Sequence, residues 1–462
     1  MIKYSRIKKI HFVGIGGSGM SGIAEVLHNM GFSVSGSDTT AGEVIARLSQ
    51  LGIKVSIGHS RENVADIETL VYSSAVKEDN VEVKEALARN IPVIPRAEML
   101  AELMRVKFSI AVAGTHGKTS TTSMIATVLN RAGKDPTYVV GGRLKVDESG
   151  AKLGKSDYLV AEADESDGSF LQLFPTLAII TNIEDDHLDN YQDSMENLRA
   201  AFARFGRKVP FYGSVILNID CPNARVILPL INKRIITYSL EGKADIQAEN
   251  VEYSAFSAGF DLLVGQQRLG RVLLNVGGRH NVSNALAAIT AGLEIGLDLA
   301  TIKAGLELFS LPERRLQVLF ADKNYTVIDD YAHHPTEIAA VLDTLKRGNF
   351  NRLIAVFQPH RYTRLAALMG SFTTCFAAAD LLILADIYAA GQVKIDRVDS
   401  RVLFEKIKGS GFESVVYLES FDRIVEYLEQ EMKTGDVVVF LTAGNLTQAA
   451  HRLAGKLEER RR

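Results

Sequence analysis

The sequence predicts an α/β protein made of three domains, and three observations lead to this prediction. Short apolar runs alternate with helical patterns along almost all of the 462 residues, which is typical of parallel sheets covered by helices. New series of such runs begin at "FSIAVAG" and, after the linker-like "LPERR", at "YTVIDDY". The length also corresponds to about three domains of ordinary size. We therefore expect domains over residues 1–106, 107–312 and 313–462.

Composition indicates a globular protein and argues against several functions. The chain is 47% hydrophobic and 23% charged, which is ample for apolar cores. A net charge of −3 offers no electrostatic footprint for a nucleic-acid polymer. The two cysteines, Cys221 and Cys375, lack the spacing of a zinc site or a disulfide framework and indicate a reducing compartment. Without an apolar leader or a membrane-length run, we expect a cytoplasmic protein that binds neither nucleic acid nor membrane.

The first domain contains a glycine-rich loop directly after its first predicted strand, "KIHFVGIG". Gly14, Gly16 and Gly19 have the G-x-G-x-x-G spacing, and Asp38 follows at the end of the next strand, "FSVSGSD". Dinucleotide-binding folds hold a pyrophosphate with such a loop and a ribose with such an acid. The residues alone favour NAD, with a different diphosphate ligand as the alternative.

The second domain opens with the strongest local signal, "AGTHGKTSTT" at residues 113–122. A buried strand leads to Gly114 and Gly117, and Lys118 and Thr119 then begin a helix. The glycines let backbone N–H groups approach phosphate oxygens, the lysine can reach the β and γ phosphates, and the threonine hydroxyl can bind Mg²⁺. The usual upstream glycine is replaced by Val112. We predict a nucleoside-triphosphate loop, against the alternative of a turn with an incidental Lys-Thr pair.

Acidic residues follow two further buried strands of this domain, in "VAEADESD" (160–167) and "TNIEDDHLDNY" (181–191). Ligands of open α/β sheets bind beyond the carboxyl ends of the strands, and Mg²⁺ prefers oxygen ligands. Either cluster alone is more often a solvated turn, but two of them after a P-loop predict a metal site. Alternating, turn-rich sequence at 246–276 predicts a small antiparallel sheet in the same domain.

Three later motifs add polar residues at strand ends and helix starts. "GGRHNVSNALAA" (277–288) contributes one histidine and two asparagines suited to base or ribose contacts, of which helix capping explains only one asparagine. "IDDYAHHPTE" (328–337) and "FQPHRYTR" (357–364) each follow a strand of the third domain. The two arginines of the latter suit a phosphate or a carboxylate. Solvated loops with local salt bridges are the alternative for each motif.

Together and in this order, these motifs resemble the Mur ligase family across essentially the whole chain. The resemblance is carried by "HFVGIGGSGMSGIAEVL", "SGSD", "YSSAV", "AGTHGKTSTT", "AEADESDGSF", "TNIEDDHLDNY", "GRHNVSNALAA", "DDYAHHPTE" and "FQPHRYTR". The family's loop has the short G-T-x-G-K-T/S form, which accounts for Val112. The resemblance implies a Rossmann-like UDP-sugar-binding domain and a P-loop ATPase-like central domain with a small antiparallel sheet. It also implies a C-terminal Rossmann-like α/β domain that binds the amino acid and closes over ATP.

The resemblance also implies a role for particular residues, and it assigns the first loop to UDP rather than NAD. The UDP-sugar would contact Gly16, Gly17, Ser18, Gly19, Asp38, His59, Ser73 and Ser74. ATP would contact Gly114, Thr115, His116, Gly117, Lys118, Thr119, Ser120, His280, Asn281, Asn284, Asp330, Tyr331 and His333. The catalytic residues would be Lys118, Glu162 and His187, and Mg²⁺ would be held by Thr119, Glu162 and His187. Arg361 and Arg364 would face the carboxylate of the amino acid or product.

The implied reaction is the ATP-dependent joining of L-alanine to UDP-N-acetylmuramate through an acyl phosphate, with ATP and Mg²⁺ as cofactors and a monomer or weak homodimer as the enzyme. Asn445 and Gln392 stand where the alanine-adding branch usually has acids, and "NLRAAFARF" offers no lysine for the carbamoylation known in later ligases of the family. The alternatives are a related Mur-type ligase with another amino acid or UDP-muramyl substrate, an NAD-dependent oxidoreductase, and a nucleotide-binding switch without ligase activity. Folate-polyglutamate ligases would share only the ATP domain.

Overall fold

A computed structural model describes residues 7–73, 75–77, 79–144, 149–186 and 188–461, and within these it does not describe the side chains of Ser18, 142–144 and Ser149. The chain divides into two compact units. The N-terminal unit comprises Met1–Asn250, Phe260–Leu273 and Asn281–Ser310, and the C-terminal unit comprises Val251–Gly259, Leu274–His280 and Leu311–Arg462. No described helix has the length and apolar character needed to cross a membrane.

In the part of the chain that the structure describes, the first sheet of the N-terminal unit has five parallel strands. Its elements are β1 (Lys9–Val13), α1 (Ser18–Asn29), β2 (Ser33–Asp38), α2 (Glu43–Gln50), β3 (Lys54–Ile57), a 3₁₀ turn (Arg61–Val64), β4 (Thr69–Tyr72), α3 (Val81–Ala88), β5 (Val93–Pro95) and α4 (Arg96–Arg105). The strand order is β3-β2-β1-β4-β5. Because β2 and β3 lie on one side of β1 and β4 and β5 lie on the other, the loop after β1 is at the switch point where such sheets bind ligands.

Among the described residues, the second sheet has ten strands. Its elements are β6 (Phe108–Ala113), α5 (Lys118–Arg131), β7 (Thr137–Leu144), β8 (Ser149–Lys152), β9 (Tyr158–Glu162), β10 (Leu177–Ile180), α6 (Met195–Arg207), β11 (Ser214–Asn218), α7 (Pro222–Ile227), β12 (Arg234–Ser239), β13 (Ile246–Tyr253), β14 (Ala258–Val264), β15 (Gln267–Leu274), α8 (Arg279–Glu294) and α9 (Leu299–Leu308), with 3₁₀ turns at Ser169–Gln172, Leu188–Tyr191 and Leu228–Leu230. The order is β15-β14-β13-β12-β11-β10-β6-β9-β7-β8. The stretch predicted as a small sheet thus forms three neighbouring strands at one edge of the large one.

The third sheet lies in the C-terminal unit and has six strands. Its elements are β16 (Gln317–Ala321), β17 (Tyr325–Asp330), α10 (Pro335–Lys346), β18 (Arg352–Phe357), α11 (Tyr362–Phe372), β19 (Leu381–Leu384), α12 (Ser400–Gly409), β20 (Val415–Tyr417), α13 (Phe421–Glu431), β21 (Asp436–Leu441) and α14 (Thr447–Arg461). The order is β16-β17-β21-β18-β19-β20, and only β16 pairs antiparallel.

The inner strands β18, β19 and β21 of the third sheet are buried on both faces, as their continuous apolar runs predict. In β21, Val437, Val439 and Leu441 belong to one core, and Val438 and Phe440 belong to the core on the opposite face. Successive side chains of a strand point to opposite sides of the sheet. Helices α10, α11 and α12 cover the first face, and α13 and α14 cover the second.

Helices α5 and α9 pack closely because a glycine lies at their contact. A Cβ atom added to Gly305 would lie 2.8 Å from the Cα atom of Val128 and 3.0 Å from one of its methyl groups. By contrast, Gly455 in α14 has open space where its Cβ would be. Alanine substitutions at these two helical glycines therefore distinguish two effects on stability: steric crowding between helices at Gly305, and higher helix propensity alone at Gly455.

We predict that Gly305→Ala lowers the free energy of unfolding by about 1–3 kcal/mol, because α5 and α9 must separate. Gly455→Ala, the matched control, should raise it by about 0.5–1 kcal/mol through helix propensity alone. Urea unfolding followed by circular dichroism measures both. Equal stabilisation by the two substitutions would contradict the packing described.

Candidate functional site

The P-loop between β6 and α5 requires glycine at two positions. Gly114 has φ +139° and Gly117 has φ +82°, backbone angles that residues other than glycine rarely adopt. A Cβ on Gly114 would lie 2.0 Å from Thr181 Oγ1, and one on Gly117 would lie 2.5 Å from Asn284 Oδ1. The backbone therefore turns sharply into α5 and leaves the first amides of the helix beside the loop, an arrangement that suits phosphate.

The segment after β10 holds the P-loop in place. His116 N donates to Asn182 Oδ1 at 2.7 Å, and Thr181 Oγ1 donates to the carbonyl of His116 at 2.6 Å. Glu184 N donates to Thr115 Oγ1 at 2.9 Å. The predicted ATP residues Thr115 and His116 are thus anchored by "TNIE", the start of the second acidic motif.

Lys118 lies at the start of α5 with its ammonium group beside a buried carboxylate. Its Nζ atom donates to both carboxylate oxygens of Glu165 at 2.9 Å and to the carbonyl of Gly114 at 2.6 Å. Burial opposes the charge, but Glu165, Asp164 and Glu162 outweigh it and raise the pKa of Lys118. The lysine is therefore a fixed cation at the P-loop. Sequence reasoning placed Glu165 in the acidic cluster but gave it no role.

Two of the three predicted metal ligands lie together. The hydroxyl of Thr119 is hydrogen-bonded to Glu162, whose pKa is raised by burial against the opposing effects of Gly141 N, Lys118 and Thr119. Gly141 N donates to Glu162 Oε1 at 2.7 Å. A hydroxyl and a carboxylate are the hard oxygen donors that Mg²⁺ takes. The third predicted ligand, His187, lies outside the described residues.

Other predicted ATP residues brace the same loop from behind. Asn281 and Asn284 in α8 are buried, and Asn284 Nδ2 donates to Asn281 Oδ1 at 3.3 Å. Asn284 Oδ1 accepts from Thr121 Oγ1 at 3.2 Å and faces Gly117. Ser120 is buried in the first turn of α5. In this structure the asparagines connect α8 to the P-loop helix.

A cavity of about 730 Å³ opens at the switch point of the first sheet. Its lining includes the predicted residues Gly16, Gly17, Asp38, His59 and Ser73. Ser74 and the side chain of Ser18 lie outside the described part of the chain, and Gly19 does not line the cavity. The cavity is large enough for a nucleotide-sized ligand.

The glycines of the first loop contact charged side chains. Gly16 N donates to Asp38 Oδ2 at 2.8 Å, which ties the loop to the end of β2. A Cβ on Gly19 would lie 2.4 Å from Nη1 of Arg96, and Arg96 Nη2 lies 3.5 Å from Asp164 Oδ2. Arg96 thus connects the glycine loop after β1 to the acidic cluster after β9. Sequence reasoning missed it because it stands alone at the start of α4.

The C-terminal unit gathers a second set of predicted residues around a buried acid. Asp330 accepts hydrogen bonds at 2.7 Å from the backbone N–H groups of Leu316 and Ala332. Burial raises its pKa to about 6, although Arg315 opposes the shift. His333 Nδ1 lies 2.8 Å from the carbonyl of Tyr331. The carboxyl group of Asp330 is therefore held rigidly by the backbone of its own unit.

Two arginines that sequence reasoning treated as part of a linker belong to this cluster. The guanidinium groups of Arg314 and Arg315 lie 4.9 and 5.4 Å from the ring centre of Tyr331. His280, in the same unit, has its pKa lowered to about 4 by burial and by Arg315. The only local sequence feature that could have indicated this contact is the pair of arginines in "LPERR", upstream of "DDY".

The two arginines predicted to bind a carboxylate differ in exposure. Arg361 is exposed and has φ +67°, with its N–H donating to the carbonyl of Tyr388 at 2.9 Å. Arg364 is buried, and its Nη1 lies 3.4 Å from His360 Nδ1. The ring of His360 stacks on Tyr388 with centroids 5.6 Å apart. Of these two arginines, Arg361 is therefore the exposed one.

The two departures from the family pattern make ordinary amide hydrogen bonds. Asn445 Oδ1 accepts from Gln358 Nε2 at 3.1 Å, which an aspartate could also do. Gln392 Nε2 donates to Thr363 Oγ1 at 2.9 Å, which a glutamate could not do. A glutamate could still accept from Thr363 N and Oγ1, as Gln392 Oε1 does at 3.2 and 3.4 Å. Thr363 is the sequence neighbour of Arg364.

Three family models match the chain in order. The Mur ligase family catalytic domain matches residues 9–108, the Mur ligase middle domain matches 112–292, and the Mur ligase glutamate ligase domain matches 314–444.

Full-length relatives agree with these matches. A UDP-N-acetylmuramate–L-alanine ligase of Geotalea uraniireducens is 49% identical over 98% of this chain and 99% of its own. The protein of that name from Geobacter sulfurreducens is 48% identical over 99% of both chains. Among solved structures, a UDP-N-acetylmuramate-alanine ligase of Thermotoga maritima has a TM-score of 0.84 at 30% identity, covering 98% of this chain and 99% of its own.

We predict that Gly117→Ala raises the Kd for ATP at least about tenfold, because the new methyl group displaces Asn284 and distorts the loop. Gly133 is the matched control, since it lies beyond the other end of α5 with φ +70° and nothing within 4 Å of its Cβ position. Gly133→Ala carries the same backbone strain and should leave the affinity unchanged. Isothermal titration calorimetry measures both; equal affinities in the two variants would contradict the role of the Gly117–Asn284 contact.

Proposed function

Because the chain belongs to the Mur ligase family, we propose that it joins L-alanine to the lactyl carboxylate of UDP-N-acetylmuramate, with ATP as the energy source, in peptidoglycan precursor synthesis. The observation that carries the proposal is the grouping of Lys118, Thr119 and Glu162 at one P-loop. These are the groups that phosphoryl transfer needs. The full-length relatives are named as UDP-N-acetylmuramate–L-alanine ligases, and their names supply the substrates.

Activation of the carboxylate is the step that the P-loop serves. A carboxylate oxygen attacks the γ phosphorus of ATP, the bond to the ADP oxygen breaks, and an acyl phosphate forms. Lys118 Nζ holds the γ-phosphate oxygens in place of Glu165, with which it is paired here. Thr119, Glu162 and His187 would hold Mg²⁺, which would neutralise charge between the two anions that must meet.

Amide formation completes the reaction. The amine of L-alanine attacks the acyl carbon, and the carbon–oxygen bond to phosphate breaks. Phosphate is the leaving group, and the nitrogen loses a proton as the amide forms. Phosphorylation is required because a free carboxylate is a poor electrophile, so catalysis consists mainly of positioning and charge neutralisation. We assign the amino-acid carboxylate to Arg361 and Arg364.

The same proposal assigns ligands to the remaining site residues and to the three domains. The cavity beside Gly16, Gly17, Asp38, His59 and Ser73 takes the UDP moiety. Further ATP contacts are assigned to His280, Asn281, Asn284, Asp330, Tyr331 and His333. The domains over 1–106, 107–312 and 313–462 would bind the UDP-sugar, ATP and the amino acid respectively. We place the reaction in the cytoplasm, on a monomer or weak homodimer.

Phosphate release from ATP tests the function directly. With Mg²⁺ and UDP-N-acetylmuramate present, release should appear when L-alanine is added and should be absent without any amino acid. Each other amino acid, supplied in turn, measures selectivity. Release with serine or glycine alone would retain the reaction class and direct attention to Gln392 and Asn445. No release with any amino acid would refute the proposal.

We predict that Lys118→Ala lowers kcat at least about 10³-fold, because the transferred phosphoryl group loses its cation. Lys134→Ala is the control, since Lys134 is an exposed lysine just beyond the other end of α5. Circular dichroism should show both variants folded. Turnover of Lys118→Ala at the rate of the unmodified protein would remove the P-loop from the mechanism.

A further inference from the structure

A buried carboxylate lies beneath the cavity of the first sheet and has no part in the function described so far. Glu82, in the first turn of α3, has no exposed side-chain surface. Its Oε1 accepts from Asn63 Nδ2 at 2.6 Å and from Ser60 N at 3.1 Å, and its Oε2 accepts from Ser37 Oγ. Burial acts to raise the pKa, but His11, Ser37 and the other donors lower it to about 2. At neutral pH Glu82 is ionised and can only accept hydrogen bonds.

Glu82 is connected to the cavity through His59. The ring of His59 lines the cavity, and its side chain is 19% exposed. Its Nδ1 atom lies 3.0 Å from Ser37 Oγ and 3.4 Å from Glu82 Oε2. Ser37 is in β2 and is itself fully buried. The contact therefore links one nitrogen of a cavity-lining imidazole to an anion that no solvent reaches.

A second histidine occupies the other side of the same carboxylate. Alternate residues of a strand share a face, so Ser35 and Ser37 of β2 both point toward α3. Ser35 Oγ lies 2.9 Å from His11 Nδ1, and His11 Nε2 lies 3.6 Å from Glu82 Oε2. His11 is buried and does not line the cavity. Of the two imidazoles, only His59 joins the carboxylate to the ligand site.

The positions of the protons follow from counting donors. A serine hydroxyl has one proton, and Ser37 gives it to the ionised Glu82. Ser37 Oγ can then only accept from His59, so the proton of the neutral ring is on Nδ1. A neutral imidazole carries a single N–H. In a neutral ring the Nε2 atom of His59 is therefore an unprotonated acceptor, and within the part of the chain that the structure describes it makes no hydrogen bond.

We propose that Glu82 is a positioning residue that fixes this tautomer of His59, so that its Nε2 accepts a hydrogen bond from the imide N–H of a uracil base in the cavity. Uracil carries a donor at N3, whereas cytosine has a lone pair there. Cytosine would leave two acceptors facing each other without a proton, which costs binding free energy. The proposal rests on the proposed function in taking a uridine nucleotide as the ligand.

Affinities of the full-length protein for UDP and CDP test this assignment. Calorimetry at pH 8, where an ordinary imidazole is neutral, should show UDP binding at least about tenfold more tightly than CDP. In Glu82→Gln the carboxamide can donate to Ser37 Oγ, which frees the hydroxyl to donate to His59 Nδ1. The ring proton then moves to Nε2, and the preference for UDP should fall to about threefold or less.

Ser37→Ala is the matched control. Without the hydroxyl, Glu82 Oε2 at 3.4 Å can accept directly from His59 Nδ1, so the tautomer and the UDP preference should persist. A role for the network in folding alone would make both variants lose affinity for UDP and CDP together. Full retention of the UDP preference in folded Glu82→Gln would overturn the proposal.

Nitrogen-15 NMR of the histidines tests the tautomer in the unmodified protein, without measuring ligand binding to a variant. The signal of His59, assigned by its loss in His59→Gln, should show a protonated Nδ1 and an unprotonated Nε2 at pH 8. A proton on Nε2, or equal affinity of the unmodified protein for UDP and CDP, would refute the proposal. The proposed function is tested separately by alanine-dependent phosphate release, so either can fail while the other stands.

Discussion

The buried ion pair between Lys118 and Glu165 is the interaction on which the central site depends. An ammonium group removed from water without a partner would lose its proton or destabilise the fold. Glu165, with a side chain only 4% exposed, approaches Nζ with both oxygens and keeps the lysine charged. The same Nζ also donates to Gly114 O, which ties the cation to the loop. The P-loop is therefore built around a charged lysine before any nucleotide arrives.

Similar pairing occurs elsewhere in the N-terminal unit. The N–H of Gly16 is bound by Asp38, and the guanidinium of Arg96 lies beside Asp164. Groups suited to an anion are thus already in contact with carboxylates of the protein. A phosphate that binds at such a point replaces one anion by another. Its binding therefore does not require the desolvation of an unpaired cation. This exchange favours ligands that offer several oxygens at once.

The sequence predicted the features that depend on local pattern, and it missed those that depend on distant contacts. Alternating apolar runs predicted parallel sheets, and the glycine spacings located both loops. Asn284 meets Gly117 only because α8 returns to the P-loop, and no local pattern indicates that contact. The acidic run after β9 did not reveal that Glu165 would face the lysine. Arg96 was missed as well, because it stands alone in the sequence and the groups beside it, Gly19 and Asp164, follow strands of two different sheets.

The fate of the carboxylate oxygen tests the central claim most directly. UDP-N-acetylmuramate labelled with ¹⁸O in its lactyl carboxylate would be converted with ATP, Mg²⁺ and L-alanine, and the released phosphate examined by ³¹P NMR. An acyl-phosphate route predicts that each phosphate carries one oxygen from the carboxylate, seen as an isotope shift of its signal. Unlabelled phosphate, with amide formed and ATP consumed, would contradict the account.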